Sequence, residues 1–396
     1  MTVENDAIVI VGAARTPMGG MMGSLSEVPA PQLCATAIAA AMQRAGVAGD
    51  QVDEVIMGCV LPAGLGQAPA RQAARAAGIV DAAGATTINK MCGSGMKAVM
   101  LAHDQLKAGQ VDVMVAGGME NMSLSPYLLP KARAGMRMGH QQALDHMFYD
   151  GLQDAYEGGL MGNFAQQTAD QYGLTREAMD DFAIHSLEKA NQAIVDGSFK
   201  AEIAAVTVSS RKGDITVDTD EQPGNARVDK IRSLRPAFAK EGTVTAANAS
   251  SISDGGSALV LMRESTAKAQ GLKPLAKIVA HSTHAQLPEE FTIAPIGAIQ
   301  KVLDRSGWAK GEVDLYEINE AFAVVTMLAC QELGLDSSKV NVHGGACALG
   351  HPIGSSGSRI LVTLLYALQQ KGLQRGVASL CIGGGEATAV AIEMCN

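Results

Sequence analysis

The sequence predicts an α/β protein made of two similar halves, with a long segment inserted into the first. Three observations carry this. Short apolar runs of strand length alternate with longer runs of helical period. Ala37 to Gly58 (AIAAAMQRAGVAGDQVDEVIMG) aligns without a gap to Ala298 to Asn319 (AIQKVLDRSGWAKGEVDLYEIN), with seven of 22 positions identical. Between Met122 and about Asn248 the rhythm breaks and Met, Gly, Asp and Gln become frequent.

Taken in order, Ala7 to Val11 reads as a buried strand, Leu33 to Ala45 as a helix, Val52 to Met57 as a strand and Gln67 to Ala77 as a helix. A β-type run, Ala85 to Ile88, then leads to Asn89-Lys90-Met91-Cys92-Gly93-Ser94-Gly95 and an apolar helix, Met96 to Leu106. Val111 to Ala116 is a strand ending at Gly117-Gly118-Met119-Glu120. Such alternation implies a mainly parallel sheet covered on both faces. The inserted segment carries an amphipathic helix near Arg176 to Asp196 and a turn, Arg211 to Asp214, between strand-like runs. Ser257 to Met262 returns to a core strand. Two further matches extend the duplication: Gly93-Ser94 falls on Gly354-Ser355, each opening a helix, and Gly117-Gly118-Met119-Glu120 falls on Gly383-Gly384-Gly385-Glu386. Pairing the halves about a pseudo-twofold brings the Cys92 turn beside Gly350-His351-Pro352-Ile353-Gly354.

The composition bounds the chemistry. Hydrophobic residues make up 47% and aromatics 4%, with 44 glycines, so the core is built from small side chains. A net charge of −9 argues against general nucleic-acid binding, and an anionic ligand needs a local basic patch. Arg227 to Lys240 offers one: Arg227, Lys230, Arg232, Arg235 and Lys240 against the single acid Asp229. It reads as a phosphate-binding patch or as a solvated loop. Seven cysteines spread over 396 residues do not form a disulfide framework, so a reduced compartment is expected. The start, Met1 to Asp6, has no basic region and no long apolar run, which predicts no signal peptide. No apolar run is long enough to span a membrane.

Cys92 sits where a helix begins. Free N–H groups and the helix dipole favour an anion there, so a stabilised thiolate is expected. A thiol needs a base at neutral pH, and His351 is the candidate. His343, Cys347 and His351 recur at helical spacing, but Gly344, Gly345, Gly350 and Pro352 break the helix that a metal face would need.

Asn89-Lys90-Met91-Cys92-Gly93-Ser94-Gly95, Gly242 to Ser250, Asn319-Glu320-Ala321-Phe322, Gly350-His351-Pro352-Ile353-Gly354 and Cys381-Ile382-Gly383-Gly384-Gly385 together resemble the thiolase family, most closely its acetyl-CoA acetyltransferase branch. The similarity runs from Arg15-Thr16-Pro17 to the C-terminus. The resemblance implies the thiolase fold: two duplicated βαβαβ-type halves, with mixed sheets packed in layers and an inserted loop domain. The domains would be 1–121 (completed by 249–270), 122–248 and 271–396. It implies coenzyme A thioester substrates, no bound cofactor, no metal, dimers or tetramers, of which a homotetramer (a dimer of dimers) is the reading taken, and ping-pong condensation of two acetyl-CoA to acetoacetyl-CoA and CoA, with the reverse thiolysis. The composition adds the expectation of a cytoplasmic protein with no nucleic-acid or membrane partner. By motif, Cys92 carries the acyl group and His351 activates it. Cys381 moves the α-proton, and Asn319 holds a water at the second thioester oxygen. The N–H groups of Cys92 and Gly383 form an oxyanion hole. Coenzyme A contacts fall to Ser250, Ala246, Leu234, Met161, Ala321 and Phe322, with Arg227 or Lys230 at the phosphates.

The sequence departs from the family pattern at two places. Leu160 precedes Met161-Gly162 where a histidine is common, and Pro223-Gly224-Asn225 stands where a basic residue is expected. Phe291 matches a position that shapes the acyl pocket in some relatives, and no potassium site is expected. Cys34, Cys59, Cys330, Cys347 and Cys395 read as core filler. Alternative readings are a broad or long-chain 3-ketoacyl-CoA thiolase, and a non-catalytic acyl-CoA-binding protein of the same fold. A decarboxylating condensing enzyme is disfavoured by Cys381.

Overall fold

A computed structural model describes residues 6–211 and 213–395. The reading of Met1 to Asn5, and Lys212 of the Arg211 to Asp214 turn, lie outside the described residues. One large mixed sheet runs through both halves, in the order Leu315–Ile318, Arg375–Ile382, Glu386–Met394, Ala276–Ala285, Ile8–Arg15, Ser253–Arg263, Val113–Asn121, Glu54–Gly58, Gly84–Ile88. The halves join where Ile8, Val9 and Ile10 pair antiparallel with Ile278, Lys277 and Ala276. Ile8–Arg15 is buried along its whole length, as a β-branched strand covered on both faces must be.

The expectation of a mainly parallel sheet is corrected. Among the described residues, the parallel pairs are Leu315–Ile318 with Arg375–Ile382, and Glu54–Gly58 with its two neighbours. The other pairings are antiparallel, because the Gly383–Gly385 turn makes a hairpin and the inserted segment returns the chain into the sheet as Ser253–Arg263.

The duplication is visible in the backbone. Helices Ala30–Ala45 and Ala294–Ser306 end at Gly46 (φ 69°) and Gly307 (φ 71°), each followed by a short 3₁₀ turn and a strand, Glu54–Gly58 or Leu315–Ile318. Helices Ser94–Lys107 and Ile353–Lys371 are likewise equivalent. The third match is out of register. Strand pairing sets Gly118 against Gly58 and Ser379 against Ile318, so Gly117 to Glu120 correspond to Ser379 to Ile382. These four residues lie inside a strand, whereas Gly383–Gly385 form a turn.

The two equivalent helices pack on each other against the same face of the sheet. Every residue from Ile353 to Leu368 is buried. Glycine is required where the helices touch. A Cβ on Gly95 would lie 2.5 Å from Ser358 Oγ, and one on Gly357 would lie 2.4 Å from the Met96 nitrogen. This contact brings the starts of both helices to one end of the sheet. On the opposite face lie Ala30–Ala45 and Pro69–Ala76 over the first half, and Ala294–Ser306 over the second.

Helix Arg176–Asp196 has the bounds expected of it. Thr175 caps it by accepting from Ala178 N, and Gly197 (φ 80°) ends it. With Met161–Gln171 it covers the second half: Phe164, Ala165 and Met179 pack with Phe291, Phe322, Val324 and Cys381. Strands Val206–Val208 and Ile215–Val217 form a small hairpin.

Candidate active site

Cys92 lies in a tight turn just before helix Ser94–Lys107. Asn89 Oδ1 accepts from Met91 N at 2.9 Å, and Ser94 Oγ accepts from Lys90 N at 2.8 Å while donating to the Met91 carbonyl at 2.7 Å. Met91 is held at φ 47°, a strained value for a residue with a side chain. Lys90 pairs with Glu386, tying this turn to the strand after Gly383. The backbone N–H groups of Gly383 and Cys92 face the Cys92 sulfur.

The stabilised thiolate is corrected. Burial pushes the Cys92 thiol up to about 11, and the two N–H groups offset only part of that shift. Cys92 therefore rests as a neutral thiol, and an attack by its sulfur would require a base to take the proton.

His351 follows Gly350 (φ 106°), in the turn before Ile353–Lys371. Its backbone N–H donates to the Ser251 carbonyl and to Ser253 Oγ, both at 3.2 Å. Its Nδ1 lies 2.6 Å from Ser356 Oγ, which is also 2.9 Å from the Pro352 carbonyl oxygen. When the serine gives its proton to Pro352, Nδ1–H donates to Oγ and Nε2 is left as a base. When it turns its proton to Nδ1, Nε2 carries the hydrogen and becomes a donor. Nε2 is buried without a partner among the described residues. Burial, then the charge of Arg359, holds the imidazole down to about 3, so it is neutral at physiological pH.

Glu120 ties the halves together beside the site. Its carboxylate accepts from Val60 N (3.0 Å), Leu61 N (3.1 Å) and Gly354 N (2.9 Å). Burial pushes its pKa up to about 7 against these three donors.

Cys92, His351 and Gly383 line one largely apolar cavity of ≈ 460 Å³. Ser250, Ala246, Met161, Ala321 and Phe322 line it too, as do Leu160 and Phe291. Asn319 and Cys381 are buried and do not line it. Cys381 packs against Ala321 and Phe322, within electrostatic reach of Cys92, and burial holds its thiol well above the usual range. Leu234 and Arg227 lie instead in a neighbouring groove of ≈ 220 Å³ that shares Ala246 and Ser251 with the cavity. Lys230 lines this groove, while Arg227 pairs with Asp229 at 3.2 Å and Arg232 with Asp181. Of the spaced trio, His343 meets the ring of Phe199 edge-on, and Cys347 Sγ donates to the Glu320 carbonyl at 3.7 Å.

Sequence reasoning missed Phe148, Leu152, Phe238 and Ile252 on the cavity wall, because no motif marks them. It missed Ser356 and Arg359 as well. The signal for Ser356 was its place one turn into the helix that His351 precedes.

Residues 8–265 match the thiolase N-terminal domain and residues 272–394 the thiolase C-terminal domain. The chain belongs to the thiolase family. It is 50% identical over 388 residues to an acetyl-CoA acetyltransferase of Cupriavidus necator, covering 98% of this chain and 99% of that one. A protein of Escherichia coli with the same name is 50% identical over 390 residues, covering 98% and 99%. One from Shinella zoogloeoides is 48% identical over 386 residues, covering 97% and 98%.

Proposed function

We propose that this thiolase is an acetyl-CoA acetyltransferase, joining two acetyl-CoA into acetoacetyl-CoA and CoA and running the reverse thiolysis. One observation carries the reading most. The Cys92 thiol, with two backbone N–H groups facing its sulfur, shares a cavity wall with a histidine whose outer nitrogen has no partner among the described residues.

In the first half-reaction the Cys92 proton passes to His351 Nε2 as Sγ attacks the acetyl carbonyl carbon. The oxyanion forms where the Cys92 and Gly383 N–H groups point. Each such donor is worth roughly 2.7–4 kcal/mol in a dry site. The carbon–sulfur bond to CoA then breaks, and CoA leaves with the proton of Cys381, while His351 keeps the Cys92 proton on Nε2. In the second half-reaction the Cys381 thiolate so formed removes a methyl proton from a second acetyl-CoA. The enolate oxygen is held by His351 Nε2–H and by a water on Asn319. The enolate carbon attacks the acyl-Cys92 carbonyl, and release of the Cys92 thiolate gives acetoacetyl-CoA. The Nε2 proton returns to Cys92, and Cys381 keeps the methyl proton as its own thiol hydrogen.

Ser250, Ala246, Met161, Ala321 and Phe322 hold the pantetheine arm. The groove of Leu234, Arg227 and Lys230 takes the phosphate-bearing end. We assign the three domains as 1–121 with 249–270, 122–248 and 271–396, and the protein as a cytoplasmic homotetramer. Exposed Leu124, Tyr127, Leu129 and Met138 in the inserted segment support an assembly surface there. No helix of the described residues is long and apolar enough to cross a membrane.

The deciding experiment adds CoA to a series of 3-ketoacyl-CoA substrates and follows their loss. Activity confined to acetoacetyl-CoA supports this reading. Equal or higher rates on long chains overturn it in favour of a broad-range thiolase. No rate on any chain, with Cys92 still alkylated, leaves an acyl-CoA-binding protein.

A further inference from the structure

Asn319 stands just beyond strand Leu315–Ile318, two residues after Glu317. Alternation along a strand puts Glu317 and Asn319 on one face. Arg359 reaches that face from helix Ile353–Lys371, and its side chain is 1% exposed. Arg359 Nη1 donates to Glu317 Oε1 and Nη2 donates to Asn319 Oδ1, each at 3.4 Å. One planar guanidinium thus spans a carboxylate and a carboxamide. Arg359 Nε is buried without a partner among the described residues, so the side chain is not placed to satisfy all of its own donors.

A carboxamide has two ends of almost equal shape, and only its partners decide which way it points. Arg359 gives only donors, so it fixes the oxygen of Asn319 on its own side. Asn319 Nδ2 is then left toward His351, 3.5 Å from Nδ1. A flipped amide would set its NH₂ against a cation.

We propose that Arg359 is a positioning residue for the carbon–carbon bond-forming half of the reaction: it locks the Asn319 amide with nitrogen toward His351 and the reacting enolate. The proposal rests on the roles given above to His351 and Asn319. Lysine is a poor substitute, because it offers a point charge where a flat fork spans two oxygens.

The test compares Arg359→Met and Arg359→Lys with the unchanged protein in two reactions. Exchange of labelled CoA into acetyl-CoA reads acyl transfer to Cys92 alone. Incorporation of deuterium from solvent into the acetyl methyl group reads enolate formation. Arg359→Met is expected to lower deuterium incorporation and condensation kcat about 100-fold, the scale of one lost oxyanion donor. CoA exchange should fall no more than about fivefold, a difference of ~1 kcal/mol, with KM for acetyl-CoA little changed. Arg359→Lys should sit between the two. Equal losses in both reactions would reduce Arg359 to a structural role and overturn the proposal, as would full deuterium incorporation in Arg359→Met. If Arg359→Met does not fold, Arg359→Lys decides alone: a selective loss of deuterium incorporation supports the proposal, and an unselective loss or none overturns it. If the unchanged protein carries out neither reaction, the functional reading itself fails, which is a different result from any of these.

Discussion

Ser356 Oγ lies 2.6 Å from His351 Nδ1 and 2.9 Å from the carbonyl oxygen of Pro352, and its single proton can serve only one of them at a time. With that proton on Pro352, the serine accepts from Nδ1–H and leaves Nε2 free as the proposed base; the proton Nε2 takes from Cys92 then makes it the donor of the second half-reaction. Ser356→Ala removes the Nδ1 partner while leaving the ring in place. Condensation kcat should drop about 10- to 100-fold, at or below the low end of the roughly 100- to 10,000-fold that a general base contributes, with the melting temperature nearly kept. Steady-state kinetics beside a thermal melt checks this.

Cys381→Ser separates the two half-reactions. A hydroxyl in that buried place is too weak an acid–base group to carry the α-proton. CoA exchange into acetyl-CoA should persist, while condensation should fall by about 1,000-fold. Condensation at the unchanged rate would remove Cys381 from the mechanism.

The buried carboxyl of Glu120 makes stability depend on pH. Its pKa rises on folding from its ordinary 4.5 to about 7. A carboxyl raised in this way favours the folded state at low pH. That contribution is complete below about 4.5, where both states hold the proton, and is lost as the pH climbs through about 7. Thermal melts should therefore show stability falling across this window. Glu120→Gln should flatten the slope, yet lower the overall melting point, because one amide oxygen cannot serve three N–H groups.

Gly357→Ala sets two magnitudes against each other. In an open helix the change gains about 0.8–1.0 kcal/mol. Here the new Cβ would meet the Met96 nitrogen at 2.4 Å, and overpacking of that kind costs about 1–3 kcal/mol or more. A net loss is expected, read by denaturant unfolding, together with lower activity, since this contact sets the spacing between Cys92 and His351.

Leu160 and Phe291 line the cavity beside Cys92. Leu160→Ala should raise thiolysis of six- and eight-carbon substrates relative to acetoacetyl-CoA. Each methylene admitted is worth roughly 1–3 kcal/mol. An unchanged ratio would place the chain-length filter elsewhere.

Much of the site was legible because its residues sit at chain reversals that glycine and proline mark. The Gly93-Ser94 and Gly354-Ser355 match located both helix starts, and from them the meeting of Cys92 with His351 followed. Sheet direction was less legible. Alternating elements look alike whether the chain returns by a parallel crossover or, as at Gly383–Gly385, by a hairpin. The thiol of Cys92 went the other way from its expected shift because a dipole argument counts donors and is blind to burial, and here burial dominates. Phe148, Leu152 and Phe238 were invisible because an apolar wall has no signature apart from the cavity it faces. Arg359 looked like any helix arginine until strand Leu315–Ile318 was laid beside it.

Cys92 is made early and the groups around it late. Cys92 belongs to the first quarter of the chain, while His351, Ser356, Cys381 and the Gly383 amide all come from its end. The inserted segment seals over residues that have not yet been synthesised when it emerges. A chain still on the ribosome thus carries the Cys92 thiol without His351 and without the Gly383 N–H. On the mechanism proposed above, the order of the sequence shelters the nascent protein from its own chemistry: acyl capture waits until the last strands of the sheet are in place.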